Sequence, residues 1–567
     1  MQSVISNRNY KLLVLAALLL SGALIYSNTF YNSFHFDDAR SIVNNPAIRN
    51  ISNLKAIWNF WPTRFITYVS IALNYHLGGL KLFNYHFFNL AVHIASVILV
   101  WQLLLLTFST PLVKREKIAK QARSISFFGA LVFLAHPIQT QAVTYIIQRA
   151  CLLAALFYLS SLILYVKSRL LEEEGKSPIR QKALYYSSLI MAAIAMFTKE
   201  LTITLPFAIL LYESCFLKTK KKLNWKRLLP FFLLILVIPL TMLLTKTVDI
   251  IGMRRAGEPA MTISSLHYLL TQFRVIITYM RLLFLPLNQN LDYDYHIAKS
   301  LLELPAIASI ISLVLILTSA FKLLPKYRLL SFGAFWFFLT LLPESSIIPI
   351  RDIIFEHRLY LPMAGFSFFL PGLVYYIFRD KSVKPAIAIL LIITCSYAIL
   401  TYRRNFIWKD EITLWNDTAH KSPKKAKPYY NRGTAYADKG VLDLAISDFN
   451  KTIEIAPGLA EVYNNRGTVY ARKGEIDRAI NDYTKAIEIN PTYSRAYYNR
   501  GVSFADKGNF AKAVHDFDKT LQINPNLAEA YYSRGVVFYD MREYGRARLD
   551  LHKAEELGYN ADPDFFR

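Results

Sequence analysis

Cysteine and acidic charge are what this 567-residue sequence has little of. Its three cysteines, Cys151, Cys215 and Cys395, sit inside apolar stretches with neither paired nor metal-ligand spacing, which excludes a disulfide framework and leaves them as inert core- or lipid-facing residues. Asp and Glu number 40 against 65 Lys and Arg, and the shortage is local. From Ala426 onward the two signs balance at 20 each, so residues 1–425 carry the whole net charge of +25. Such a charge would ordinarily point to nucleic acid. Here the basic residues come in short runs between hydrophobic stretches, as in cytoplasmic loops of membrane proteins, and nucleic-acid binding is set aside. A water-soluble composition is missing too: hydrophobic residues make up 54%, aromatics 14%, and the mean hydropathy is +0.27. A wholly soluble or disordered chain is excluded.

Eleven apolar stretches read as membrane spans: Lys11–Ser27, Phe87–Phe108, Ser124–Gln139, Ala150–Val166, Ala183–Phe197, Leu201–Leu217, Leu228–Thr245, Leu301–Phe321, Leu329–Leu342, Leu359–Phe378 and Ala386–Tyr402. Several are shorter than the ~20 residues that cross hydrocarbon, so their ends must extend or the bilayer must thin. The first is expected to be retained, since ten more follow and Asn28–Tyr31 is a poor signal-peptide cleavage site. With the N-terminus inside, the inner segments hold 24 basic residues and the much longer outer loops 15, which sets the orientation. Ile263–Leu285 is apolar enough to span, yet His267, Thr271, Arg274, Thr278 and Arg281 fall on one helical face. Two arginines in a span are costly, so this segment is expected to lie as an amphipathic helix in the outer interface.

The end of the chain repeats. Gly433, Gly467, Gly501 and Gly535 are 34 residues apart, and Pro457, Pro491 and Pro525 keep the same step. An aromatic stands four before each Gly and three after it, and Ala445, Ala479, Ala513 and Ala547 stand twelve after. That is the tetratricopeptide repeat, in four copies over Ala426–Ala561, a solenoid of helix pairs. A terminal repeat needs a polar outer face, and Asp562–Arg567 is too short for a capping helix, so the last repeat is expected to dock or fray. Such repeats hold peptides on the concave surface of their first helices. Asn431, Asn465 and Asn499 recur two before Gly, where an amide can pair with an extended backbone; Asn is equally an ordinary residue of this helix.

Outer loops collect ionisable residues. Asp37 and Asp38, just past the first span, are suited to take a proton at the bilayer edge, or else cap a helix or pair with Arg40. Arg64 follows, then His86, Asn89 and His93 on one helical face, where hydrogen bonds to a loop fit better than a metal. His136, Arg149, Lys199, Glu200, Glu344, Glu356, His357 and Arg358 also stand at span ends. Each alone reads as a local ion pair, Lys199 with Glu200 or Arg358 with Glu356. Together they are functional by default, and fixed cations at the interface suit a lipid phosphate.

The order of these motifs resembles the transmembrane and tetratricopeptide repeat-containing proteins and their bacterial relatives. The resemblance is carried by Asp37–Asp38, Asn74–Tyr75, His86-x2-Asn89-x3-His93, His136 with Arg149, Lys199–Glu200 with Pro206 and Tyr212–Glu213, Pro343-Glu344-Ser345-Ser346, Glu356-His357-Arg358-Leu359-Tyr360-Leu361-Pro362, Trp408 and Trp415. That family is placed in the multi-spanning GT-C glycosyltransferase superfamily, with animal members similar to protein O-mannosyltransferases. The resemblance implies a catalytic base at Asp37 or Asp38. The sequence departs from the family in having only four repeats, and in Gln141 where some relatives carry an acid.

The expected protein is all-α. Residues 1–402 form a GT-C-like membrane domain of about eleven spans, 403–425 a linker, and 426–567 the repeats. It would move a mannose-like hexose from a polyprenyl-phosphate donor to a Ser or Thr hydroxyl of an acceptor polypeptide, with inversion. Donor and substrate binding falls to Arg64, His86, Asn89, His93, His136, Arg149, Lys199, Glu200, Glu356, His357 and Arg358, and acceptor binding to Asn431, Asn465 and Asn499. No metal motif is present, and a divalent cation stays open. The expected location is a bacterial inner membrane, or the endoplasmic reticulum in a eukaryote, with the repeats extracytoplasmic. A non-enzymatic membrane scaffold is the alternative. A transporter or flippase would need charges deep within spans, which are largely uncharged here.

Overall fold

The structure, a computed structural model, describes residues 8–217, 224–245, 248–249, 254–255, 263–350, 352–378 and 382–559. The basic runs Lys218–Lys222 and Arg379–Lys381 and the end Asp562–Arg567 lie outside the described residues. Two units form, Met1–Asp410 and Glu411–Arg567. Among the described residues every element is helical except a two-residue antiparallel ladder, Val248–Asp249 with Arg254–Arg255.

In the first unit, α1 (Arg8–Ile25) is followed by two short helices, α2 (Leu54–Phe60) and α3 (Phe65–Gly78), within the first long loop. Then come α4 (Leu82–Thr107), α5 (Ala122–Ala135), the single turn α6 (Thr140–Thr144), α7 (Arg149–Glu173), α8 (Pro178–Met196) and α9 (Leu205–Tyr212). α10 (Trp225–Leu234), α11 (Val237–Thr245), α12 (Ser265–Phe284), α13 (Leu304–Leu323), α14 (Arg328–Leu341), α15 (Pro362–Ile377) and α16 (Lys384–Asn405) complete it. Among the described residues, eight helical stretches are long and apolar enough to cross a bilayer, and α14 and α15 are shorter apolar helices. These ten coincide with ten of the eleven expected spans. The eleventh lies on α8, whose opening Arg180-Gln181-Lys182 lowers its hydropathy. Leu12, Leu13 and Leu20 of α1, Ile311 and Leu315 of α13, and Ile392 and Ile399 of α16 are exposed. Such rows would aggregate in water and are the ordinary surface of a helix in lipid. The chain is a multi-pass membrane protein.

Small residues set the closest helix approach. A Cβ on Gly365 of α15 would fall 2.6 Å from the carbonyl oxygen of Gly333 on α14, and one on Gly129 of α5 would fall 2.7 Å from that of Ser367. Backbone therefore meets backbone on both sides of α15, as small residues permit in membranes.

α12 is amphipathic as expected, and its polar row is partly occupied by the chain that follows. Arg281 donates to Leu287 O (3.2 Å), Arg274 to His296 O (2.9 Å), Thr278 bonds the Tyr295 hydroxyl (3.0 Å), and the Thr271 hydroxyl accepts from Ala298 N (3.0 Å). The chain that follows the helix folds back along that row and supplies its hydrogen-bond partners. The row thus holds residues 287–298, while Arg281 stays exposed.

The second unit pairs α18 (Ala426–Asp438) with α19 (Leu442–Ile455), α20 (Ala460–Arg472) with α21 (Ile476–Ile489), α22 (Ser494–Asp506) with α23 (Phe510–Ile523), and α24 (Ala528–Asp540) with α25 (Tyr544–Glu556). A Cβ on Gly433, Gly467 or Gly501 would fall within 2.9 Å of the ring of Phe449, Tyr483 or Phe517, so the glycine seats the aromatic of the second helix. An arginine beside each glycine grips the aspartate sixteen residues on: Arg432 with Asp448, Arg466 with Asp482, Arg500 with Asp516 and Arg534 with Asp550, each through two nitrogens at 2.7–2.9 Å. The third nitrogen reaches sixteen residues back, from Arg466 to Asn450, Arg500 to Thr484 and Arg534 to Asp518.

Arg432 makes the same backward bond, to Asn416 at 2.8 Å. The stretch expected to be a linker, 403–425, therefore holds part of the solenoid: α17 (Glu411–Lys421) packs on α18 as the second helix of a preceding half repeat. Its buried Trp415 stands 34 residues before Phe449. The fourth repeat has a polar outer face of its own, with Arg548 and Glu555 where earlier repeats have Ile446, Ile480 or Val514, and Ile453, Ile487 or Leu521. Tyr559 packs on Tyr532, their ring centres 4.7 Å apart.

Candidate active site

The expected site residues gather at one end of the apolar helices, where α1, α5, α8, α14 and α16 finish and α4, α7 and α15 begin. Within the first loop, Phe36 takes a positive φ of 46°, a conformation that costs a residue with a Cβ about 1–2 kcal/mol. That turn splits the acid pair. Asp38 is fully buried, with one oxygen accepting from His35 N (3.0 Å) and the other from Ile147 N (2.9 Å). Asp37 is exposed, and its backbone N–H donates to the Tyr145 hydroxyl at 2.9 Å. Burial pushes the Asp38 carboxyl up to about 7, with the two backbone N–H groups opposing and the neighbouring Asp37 charge adding to the rise. Neither the expected cap nor the Arg40 pair accounts for Asp38, because its two carboxylate oxygens bind backbone amides. His35 bonds Trp408 O (2.6 Å), and burial draws its imidazole down to about 4, so it is neutral. Tyr145 stacks on Trp408, and together these rings floor the loop.

His86, Asn89 and His93 are buried on α4 and bond loops and neighbouring helices. His86 Nε2 meets Asn32 O (2.9 Å), Asn89 donates to Val143 O and Ile146 O, and His93 Nδ1 meets the Tyr360 hydroxyl (2.8 Å). His136 bonds Leu283 O (2.9 Å). Arg149, also fully buried, donates to Asn89 Oδ1, Ser70 O and Tyr85 O. Its guanidinium holds three segments together. Arg358 likewise donates to the carbonyls of Glu344, Asp352 and Ile353. Among the described residues no three His, Cys, Asp or Glu side chains converge as a metal-ligand set.

The ion pairs run between segments, not along the chain. Glu200 pairs with Arg64 (2.9 Å), not Lys199, and also accepts from Thr63. Lys199 pairs with Glu344 (2.6 Å) and donates to Cys151 Sγ (3.2 Å), so that cysteine is core-facing but part of the site. Glu356 pairs with nothing on Arg358; it accepts from Asn290 N, the Tyr293 hydroxyl and Gln289 Nε2, and burial raises its carboxyl. His357 is pushed well below its usual range by burial and by the positive charges of Lys199, Arg358 and Arg64. Its backbone N–H donates to Gln141 Oε1 (2.7 Å). Among the described residues, four buried polar atoms of this cluster have no partner: His357 Nδ1, Gln141 Nε2, Glu344 Oε2 and Ser345 Oγ. Buried polar groups are normally paired, so unpaired ones together mark a place where a polar ligand would be welcome. The turn leading into α7 and its first residues join the parts, since Ile147 N donates to Asp38 and Cys151, four residues on, meets Lys199.

In the repeats, Asn465 donates to the Tyr430 hydroxyl (2.9 Å) and Asn499 to Asn464 Oδ1 (2.9 Å). Those amides link adjacent repeats, and Asn465 Oδ1 in turn accepts from Asn464 Nδ2 (3.2 Å). Asn431 is half-buried at the same register.

Residues 426–458, 460–493 and 494–527 match family models of the tetratricopeptide repeat. Curated relatives include protein O-mannosyl-transferase F38B6.6 of Caenorhabditis elegans, 26% identical over 75% of this chain and 60% of that protein. Protein O-mannosyl-transferase TMTC4 of Mus musculus is 26% identical over 75% of this chain and 64% of its own length. For TMTC3 of Homo sapiens the figures are 24%, 75% and 49%. The chain thus spans about half to two thirds of the length of these relatives. Among solved structures, MamA is 27% identical over 26% of this chain and 85% of that one, with a TM-score of 0.25.

Proposed function

We propose that this chain, a homologue of the transmembrane and tetratricopeptide-repeat protein O-mannosyltransferases, is a membrane glycosyltransferase that takes a sugar from a polyprenyl-phosphate donor and delivers it to a protein hydroxyl. The observation that carries this reading is the split acid pair: a solvent-facing Asp37 set by a strained turn on a buried, fully bonded Asp38. A Ser or Thr hydroxyl hardly ionises at neutral pH, so its transfer needs a positioned base. Asp37 is that base and Asp38 the anchor. As the acceptor oxygen bonds the anomeric carbon, the bond from that carbon to the donor phosphate breaks, its electron pair leaves with the phosphate, and the hydroxyl proton goes to Asp37. Attack opposite the leaving group inverts the centre.

Arg64 and Lys199, whose carboxylate partners can trade for a phosphate, meet the growing negative charge. The neutral His357 and the unpaired Gln141 amide add donors. Arg149, Arg358, Glu356 and the buried histidines His86, His93 and His136 act by fixing the segments that carry these groups. The peptide acceptor lies along the register of Asn431, Asn465 and Asn499. By the charge of the inner loops, the site and the repeats face away from the cytoplasm.

The test compares Asp37→Asn with Asp38→Asn in turnover of polyprenyl-phosphate sugars. Asp37→Asn should fold as the parent does and lose about 10²–10⁴-fold in turnover, the contribution of a general base. Asp38→Asn sets an amide N–H against a backbone N–H and should lose about 1–3 kcal/mol of stability. Parent-like turnover by Asp37→Asn would end the assignment, and a parent inactive on every donor would favour the scaffold.

A further inference from the structure

At the other end of α8, about 25 Å along its axis from Lys199, a cleft of about 230 Å³ opens between the first turns of α8 and α10. Lys182, Lys226 and Arg227 line it, together with Gln181, Asn224 and Tyr185. One wall is already organised: the Tyr185 hydroxyl donates to Arg227 O at 2.8 Å, and the Arg227 guanidinium sits over the Tyr185 ring while pairing with Glu172. The two lysines are exposed, and among the described residues neither has a carboxylate in pairing range. Both helices begin here with no side-chain cap from Ser177 or Asn224, so their positive ends add to the field. The volume exceeds that of several waters at about 30 Å³ each, enough for a phosphate with its ester-linked glycerol.

Below the cleft the surface changes character. Tyr186 and Ile190 on α8, and Leu229 and Leu233 on α10, are each exposed and each one turn apart, and Trp225 is exposed at the rim. Two apolar rails therefore run from a cationic cleft down the side of a membrane protein, with an aromatic at the level of the headgroups. We propose that this cleft binds the phosphate of an anionic phospholipid, with Lys182 and Lys226 as its charged ligands, Arg227 and Tyr185 as the fixed wall, and the acyl chains lying along the rails. A soluble phosphate compound would use the cations but leave the rails bare, which is why the lipid is the occupant.

Native mass spectrometry of the full-length protein in detergent, titrated with phosphatidylglycerol, phosphatidylcholine or glycerol phosphate, tests this. Lys182→Gln with Lys226→Gln should weaken phosphatidylglycerol retention about tenfold or more, from two lost charges near the surface, and leave phosphatidylcholine retention unchanged. Lys182→Arg with Lys226→Arg should restore it. Lys322→Gln with Lys326→Gln, which removes equal charge at the far end of α13, should change retention little. Unchanged retention in the first pair, equal loss in the control pair, or displacement of phosphatidylglycerol by an equal concentration of glycerol phosphate would each overturn the proposal.

Discussion

Phe36 and Arg542 both carry a side chain through left-handed backbone, at φ of 46° and 63°. At Arg542 the repeats show what the position wants: Gly440, Gly474 and Gly508 fill it in the other three copies, with φ of 74–79°. Arg542→Gly should therefore stabilise the repeat unit by about 1 kcal/mol, read as a higher melting temperature of residues 411–567 expressed alone. At Phe36 the same strain has no glycine alternative in the sequence and coincides with the acid pair, where strain is a common companion of function. Which acid faces out was not legible from two adjacent Asp codes, since spacing says only that neighbours diverge. Burial decides it, and burial also gives Asp38 a pH signature. Its folded-state pKa is raised, so the stability its protonated form contributes is full below the ordinary carboxylate range and is lost as pH rises through about 7. Thermal melts of the parent should fall across that window more steeply than those of Asp38→Asn, and parallel curves would remove the buried acid from the account.

At the scale of elements, apolar length was legible and pairing was not. Ten stretches found by hydropathy are apolar helices, because a helix in lipid must satisfy its own backbone and advertises itself by length. The partners of Lys199, Glu200 and Glu356 lie 145, 136 and 66 residues away at Glu344, Arg64 and Asn290. No local pattern encodes such distances. The half repeat of α17 keeps the 34-residue step, from Pro423 and Trp415 to Pro457 and Phe449, but has no glycine-bearing first helix to mark it as the other copies do. Gly365 offers a direct test of element packing. Gly365→Ala places a methyl against the Gly333 carbonyl and the Trp336 ring, and should cost about 1–3 kcal/mol as overpacking. Gly372→Ala, on the same helix but with its nearest neighbours at 3.4 Å, should cost much less. The ratio of the two melts in detergent checks the backbone-to-backbone contact of α14 and α15.

For the whole molecule, the sequence divides by charge before it divides by fold. An excess of basic residues confined to 1–425 marks the membrane half, and balanced signs mark the repeats. The proposed sidedness rests on the bias of Lys and Arg between the loops of that half, and a single label can check it. Asp506 is exposed on the third repeat, so Asp506→Cys should react with an impermeant maleimide in intact cells. Reaction only after permeabilisation would turn the molecule over and place the acid loop, with the repeats, in the cytoplasm.

The arginine ladder gives the repeats a mechanical character. Each guanidinium grips its own repeat with two nitrogens and the preceding helix pair with the third, so no repeat can rotate against its neighbour without loosening a tooth that belongs to both. The array is a zip fastener more than a string of beads. Under tension it should yield in steps of one helix pair, each tooth holding until the one beside it has opened, and an acceptor chain laid along the groove would meet a ruler of fixed pitch.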